Sequence, residues 1–261
     1  MAKFEDPGRT NTGSLTEINA WALTWDTYDS RLHDEHPMPA LYPGARHVNW
    51  WGSGLTLDEL LSLAQVHGIP VAWVPSQDIL RSLVDADNSH EAKLAVLAAE
   101  DERILAQCRG VLAECTDEWL SGEVAAGLKA LSAYADGHHE AAACLAIAAL
   151  EQILYTVNEI PPGKRKHGTL AKIGAAEPAR LLPARQYVRA PLATLYTPYW
   201  PESGDALPVN LSRHAVLHHV PLDHLSQGHC IIAVMLLTSV IRQSQERVED
   251  IRWDLLVQAS D

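Results

Sequence analysis

Residues 230–241, CIIAVMLLTSVI, run twelve positions without a charge inside a sequence that reads as one helix from about 223 to 247 or beyond, after Pro221 breaks the chain. A helix that is apolar nearly all the way round has to be covered all the way round, by the other helices of a bundle or across a dimer interface. The chain must therefore supply several more helices. This run and the next most apolar one, 141–150, are too short to span a bilayer. The opening MAKFEDPGRTNTGS has no apolar signal core. A cytoplasmic protein with no membrane partner is expected.

The covering helices can be read from their punctuation. Ile18, Trp21, Ala22, Trp25 and Tyr28 fall at helical spacing over 15–32, and a loop rich in Pro and Gly follows over 33–54. Thr56 and Glu59 form a capping box before LLSLAQVH, which Gly68 closes. IPVAWVP (69–75), bounded by prolines, is the one plausible strand. Ser76 caps a short helix to about Asp85. One long helix is expected over 90–114. A second opens at Thr116 or Asp117 and runs to Tyr134, and a third covers about 138–158. Residues 159–208 hold eight of the 15 prolines and read as a long irregular connection. The expected fold class is mainly α, a helical bundle over 91–261 with a Pro-rich basic insertion at about 159–208. Residues 1–90 form an N-terminal helical extension of unknown role with at most one short strand; Trp21, Trp25, Trp50 and Trp51 there can simply be core.

Composition narrows the functions. With 261 residues the chain can form one large domain or two modest ones. Its four cysteines form no Cys-x-x-Cys pair, which argues for a reducing compartment and against both a disulfide framework and a thiolate zinc site. A net charge of −13 weighs against indiscriminate nucleic-acid binding. The charge is uneven, however. Residues 161–200 carry seven basic residues, Lys164, Arg165 and Lys166 among them, against Glu177 alone; that is a formal +6, which leaves −19 for the rest. Such asymmetry marks either an anion-facing surface or a solvated loop.

Chemistry is concentrated in NLSRHAVLHHVPLDHLSQGH (210–229), which holds five of the 13 histidines. As metal ligands, His214 and His218 have the i,i+4 spacing that places two imidazoles on one ion, with His219, Asp223, His224 and His229 as further donors. The Glu that follows the first His in zincins is replaced by Ala215. As acid–base groups, Arg213 and His218 form an R-x4-H arrangement, repeated by Arg31 and His36 in a proline-broken loop. Asn210 or Ser212 can cap a short helix, putting Arg213 in its first turn, where backbone N–H groups and the guanidinium face one anion site. Five residues on a regular helix turn through about 140°, so Arg213 and His218 are expected to flank a groove rather than touch. A two-fold axis beside that groove would gather two Arg and two His on one phosphate. That geometry suits attack by an RNA's own 2′-OH: one His takes the proton, another group protonates the leaving 5′-oxygen, and Arg stabilises the charged phosphorane.

SRHAVLHH, followed by a turn and an apolar terminal helix, resembles the HEPN superfamily of helical ribonucleases and nucleotide-binding proteins. The motif there is Arg, a polar residue, then His four to six residues after the Arg, here Arg213, His214 and His218, with His219 also inside the window. ALSAYADGHHEAAACLAIAALEQIL (130–154) resembles the earlier helix pair of such proteins, and the likeness covers roughly 116–247. The resemblance implies a bundle that dimerises so that two motifs share a cleft. It implies metal-independent, cofactor-free RNA cleavage leaving 2′,3′-cyclic phosphate, often by toxins or phage-defence effectors with an antitoxin or other regulatory partner. Arg213, His218 and His214 would be catalytic, and Lys164, Arg165, Lys166, Asn210 and His219 would bind RNA. Other members are non-catalytic modules that bind a nucleotide or a protein. A His-rich metal-binding helical protein is the third reading. His224 and His229 read as surface residues, and Glu151 as either a partner for Arg213 or the wet edge of its helix. No Gly-x-Ser-x-Gly and no phosphate-cradling Gly-rich loop is present.

Overall fold

The computed structural model describes residues 48–50, 53–157, 170, 183–219 and 221–258, and the side chains of all these except 48, 183–186 and 250–258. The helix expected over 15–32, the greater part of the loop over 33–54, and Lys164, Arg165 and Lys166 lie outside them. Eight α-helices carry the described chain: α1 (Leu57–Val66), α2 (Gln77–Asp85), α3 (His90–Ala99), α4 (Asp101–Ala113), α5 (Ser121–Ala135), α6 (His139–Val157), α7 (Pro183–Leu195) and α8 (Gln227–Gln258). Among the described residues there is no β-strand. The fold is mainly α.

α8 is the axis of the bundle. Every residue from Gly228 to Ile241 is buried, and the helix packs on α6 most extensively, then on α4, α3, α5 and α7. The apolar run is thus covered by its own chain rather than by a second copy. Thr238 and Ser244 return their hydroxyls to carbonyls one turn back, at 2.8 Å each, so neither leaves a polar atom stranded. Gly228 lets α8 start against α3: a Cβ there would lie 2.8 Å from both Cβ and carbonyl oxygen of Leu94. α5 and α6 form a hairpin closed at Gly137 (φ +84°), where His138 N–H reaches Ala133 O at 2.8 Å in a Schellman turn. By length and composition α6 alone among the described helices is apolar enough to cross a membrane. In the bundle its Ala142, Ala146, Leu150 and Ile153 face the core.

The capping box is formed: Glu59 N–H meets Thr56 Oγ1 at 3.2 Å and Thr56 N–H meets Glu59 Oε2 at 2.7 Å. Residues 69–75 form no strand: the chain bends at Ala72, Trp73 and Pro75, and Trp73 takes a left-handed φ of 61°. Their backbone is satisfied by side chains: Asn49 Nδ2 donates to Val71 O (2.9 Å) and Pro75 O (2.8 Å), Asn49 Oδ1 accepts from Trp73 N–H (3.0 Å), and Ser239 Oγ donates to Ala72 O (2.9 Å). Ile69, Val71, Ala72 and Val74 are fully buried, and Trp50 joins the same core. Burial without a ladder is possible because Asn49 carries both a donor and an acceptor.

Two expectations fail. The single helix over 90–114 is two, α3 and α4, broken at Glu100 (φ −108°, ψ 12°). The acids 100–102 favour a helix start, and Asp101 Oδ2 accepts from Gln227 Nε2 of α8 at 2.6 Å. The connection over 159–208 is not irregular throughout, because α7 occupies Pro183–Leu195. Pro183 stands at the first position, where a missing N–H costs nothing. Tyr187, Val188, Ala190, Leu192 and Leu195 give α7 an apolar face that outweighs the interior Pro191. α7 packs on α1, and Tyr187 OH donates to Leu57 O at 3.1 Å.

Candidate functional site

α6, the end of α7, the turn after it and the segment before α8 converge on Arg213. Its guanidinium forks onto Glu151 of α6: Nε to Oε2 at 3.1 Å, Nη2 to Oε2 at 2.9 Å and Nη2 to Oε1 at 3.3 Å. The two side chains are only 9% and 14% exposed, so this is a buried, bidentate ion pair. Tyr155, one turn along α6, donates to Glu151 Oε1 at 3.0 Å. Tyr196, buried beside the pair, makes no hydrogen bond through its hydroxyl, and burial above all pushes its pKa far up, with Glu151 adding to the effect.

Arg213 and His218 do not flank a groove; they touch. Arg213 Nη1 lies 2.6 Å from His218 Nε2. The reason is local. Residues Ala215–His219 form a π-turn, and i→i+5 bonding puts residues five apart above one another instead of about 140° apart. An N–H of Arg213 can only donate, so His218 Nε2 presents its lone pair and the ring proton sits on Nδ1. His218 is exposed whereas Arg213 is buried.

His214 is pinned as well. Its Nδ1 accepts from Tyr199 N–H at 3.0 Å, which leaves Nε2–H as the donor. Its ring meets those of His218 (centroids 4.9 Å, 86°) and Trp200 (4.4 Å, 87°) edge to face. His219 packs on Tyr199 at 5.4 Å and approaches Glu202 Oε1 at 3.9 Å. Three of the four expected Arg and His groups, 213, 214 and 218, therefore meet within one chain, with His219 at the edge. Asn210 does not: its Nδ2 donates to Val66 O at 2.9 Å, tying the segment to the end of α1. Three of the backbone N–H groups around Arg213 are already engaged. Ser212 N–H is held by His224 Nε2 (3.0 Å), Ala215 N–H by Ser212 Oγ (3.3 Å) and Val216 N–H by Ser212 O (3.0 Å). The cap is Ser212.

His224 and His229 are not surface residues. With 2% and 5% exposure they belong to a second, buried imidazole set with His90 and His67. His229 Nδ1 faces His224 O at 2.6 Å, and its Nε2 lies within hydrogen-bond reach of both His90 Nε2 (3.0 Å) and Val209 O (3.1 Å). Burial above all holds His90 and His224 down at about 4, and the neighbouring His229 adds to the effect in both; burial lowers His229 too, against carbonyl contacts that raise it. Among the described residues no group of three or more His, Cys, Asp or Glu is arranged to hold a metal ion. His214 and His218 meet edge to face, with one ring nitrogen of each already engaged. The buried thiols are pushed up by burial, Cys108 and Cys230 to about 12 and Cys115 to about 11, so none is a ready nucleophile.

Glu151 was visible as the only charge in 141–157, and Tyr155 lies i,i+4 from it. Trp200 and Tyr196 gave no signal. No protein-family model matches this chain, and neither a curated protein nor a solved structure matches it significantly.

Proposed function

We propose that the chain is a metal-independent endoribonuclease that acts as a homodimer, with His218 as general base, Arg213 as phosphate ligand and His214 as assisting donor. The observation that carries this reading is the 2.6 Å contact between Arg213 Nη1 and His218 Nε2, with the guanidinium clamped from behind by Glu151. A fixed cation beside an exposed imidazole is what 2′-OH attack on a neighbouring phosphodiester requires. In the free chain Arg213 covers the lone pair of His218. A phosphate oxygen competes for the same N–H, so binding the anion uncovers the base at the moment it is needed. His218 Nε2 then takes the 2′-OH proton as the new P–O bond forms. His214 Nε2–H supplies a donor for the leaving 5′-oxygen. Arg213 balances the phosphorane charge, and cyclic phosphate and 5′-OH are the products. Lys164, Arg165 and Lys166 steer the RNA, and a toxin or defence role with a regulatory partner follows from the same reading.

A second reading, a non-catalytic module for a nucleotide or a protein partner, is favoured by one fact: Arg213 is 7% exposed and its charge is already met by Glu151. The test is incubation of wild type and His218→Ala with total cellular RNA in EDTA, followed by analysis of fragment ends. Cleavage by wild type alone, leaving cyclic phosphates, is the expected result. No cleavage by either folded protein transfers the conclusion to the binding module.

A further inference from the structure

We propose that Trp200 is a stacking platform for one unpaired nucleobase of single-stranded RNA, an inference that rests on the ribonuclease reading of the adjoining site. Trp200 is 54% exposed and is the one aromatic among the large exposed hydrophobic side chains of the described residues. Its backbone is fixed on both sides. Trp200 N–H meets Asp205 Oδ2 at 2.7 Å, its carbonyl accepts from Ser203 N–H at 2.9 Å, and Pro198 and Pro201 stiffen the flanks. Gly204, at φ +88°, closes this turn. The indole is thus held at the surface by its main chain, with little left to order when something lands on it.

Its place beside the site follows from His214. That ring meets both Trp200 (centroids 4.4 Å apart) and His218 (4.9 Å) edge to face. An edge-to-face contact uses one side of the indole and leaves the rest open. Charge decides which part of a nucleotide belongs there. Glu202 and Asp205 share the turn with Trp200 and repel phosphate, whereas Arg213 and the imidazoles attract it. The base therefore goes to Trp200 and the phosphate to Arg213. Stacking on an aromatic face tolerates any sequence but needs a base that has left its helix. The site then reads strandedness: unpaired RNA binds, duplex RNA does not.

The experiment is equilibrium binding, by fluorescence anisotropy, of a mixed-sequence 2′-O-methyl single strand that cannot be cleaved, and of its duplex, to wild type, Trp200→Ala and Trp200→Phe. The expected result is at least tenfold weaker binding of the single strand by Trp200→Ala, most of the affinity restored in Trp200→Phe, and no effect of either change on whatever duplex binding exists. Unchanged thermal melting of both variants shows that an exposed residue was altered without harm to the fold. Equal single-strand affinity of wild type and Trp200→Ala overturns the platform, and so does failure of wild type to bind the strand at all. The ribonuclease reading is scored separately on cleavable RNA. A protein that binds through Trp200 but never cuts keeps the platform and loses the catalysis; one that cuts equally well without Trp200 does the reverse.

Discussion

Arg213 holds together two features that each would cost stability alone, a carboxylate and a guanidinium almost out of water. Removing one partner of such a pair leaves an uncompensated buried charge, a loss of about 3–5 kcal/mol. Glu151→Ala is therefore expected to lower stability by that order in urea unfolding, and Glu151→Gln by less, because the amide oxygen still accepts from Arg213. The double change Glu151→Leu with Arg213→Met should recover most of the loss while abolishing the proposed cleavage. A double change as unstable as Glu151→Ala alone argues that the pair matters for packing and not for charge. Half of this arrangement was legible in the sequence, since a lone Glu in an Ala- and Leu-rich helix asks for a partner. The other half was not. The contact between Arg213 and His218 depends on a π-turn, and a 3.6-residue period applied to SRHAVLHH sends the two side chains apart.

Between elements, the fit of α8 against α3 turns on a single missing Cβ. In a helix interior Gly→Ala ordinarily stabilises by about 1 kcal/mol. Gly110, in α4, has nothing within 4 Å of a new Cβ, and Gly110→Ala is expected to raise the melting temperature accordingly. The same change at Gly228 puts a methyl 2.8 Å from the Leu94 backbone oxygen and is expected to destabilise by about 1–3 kcal/mol. Thermal melts of the two variants side by side check the sign; stabilisation by Gly228→Ala would mean that α3 and α8 are free to separate. Most helices were readable from caps and periodicity, as the Thr56–Glu59 box shows. α7 was hidden by its prolines, and the α3–α4 break by a composition that suits one helix as well as two. Segment 69–75 reads as a strand from its composition, but Trp73 turns the chain at φ 61° and the groups that satisfy its backbone come from the side chain of Asn49, 22 and 24 residues upstream of Val71 and Trp73, where no periodicity points.

Across the whole molecule, four buried imidazoles tie α1, α3 and the segment leading into α8. The fold holds His90 and His224 neutral down to about 4, whereas the unfolded chain protonates its histidines near 6.5. Above pH 6.5 neither state carries the proton and the full stability is present. As pH falls from 6.5 to 4 the unfolded chain takes up protons that the fold refuses, and stability declines; below 4 these groups contribute no further loss. Urea midpoints measured from pH 7.5 to 4.5 are expected to hold down to about 6.5 and to fall steadily below it, and a flat profile would mean that the imidazoles accept protons in place. The sequence reading missed this set because His90 and His229 are 139 residues apart and only the tertiary fold brings them together.

His224 also grips the N–H of Ser212, the residue before Arg213, so the two histidine sets are mechanically one. Linkage gives this a practical reading. Whatever anion settles on Arg213 and needs it in place must lose affinity as the buried imidazoles take up protons, and by reciprocity must push the acid transition to lower pH. The acid midpoint of the whole chain thereby becomes an assay for anions that settle on Arg213: oligonucleotides, nucleotides and phosphate can be ranked by how far each one protects the fold from acid.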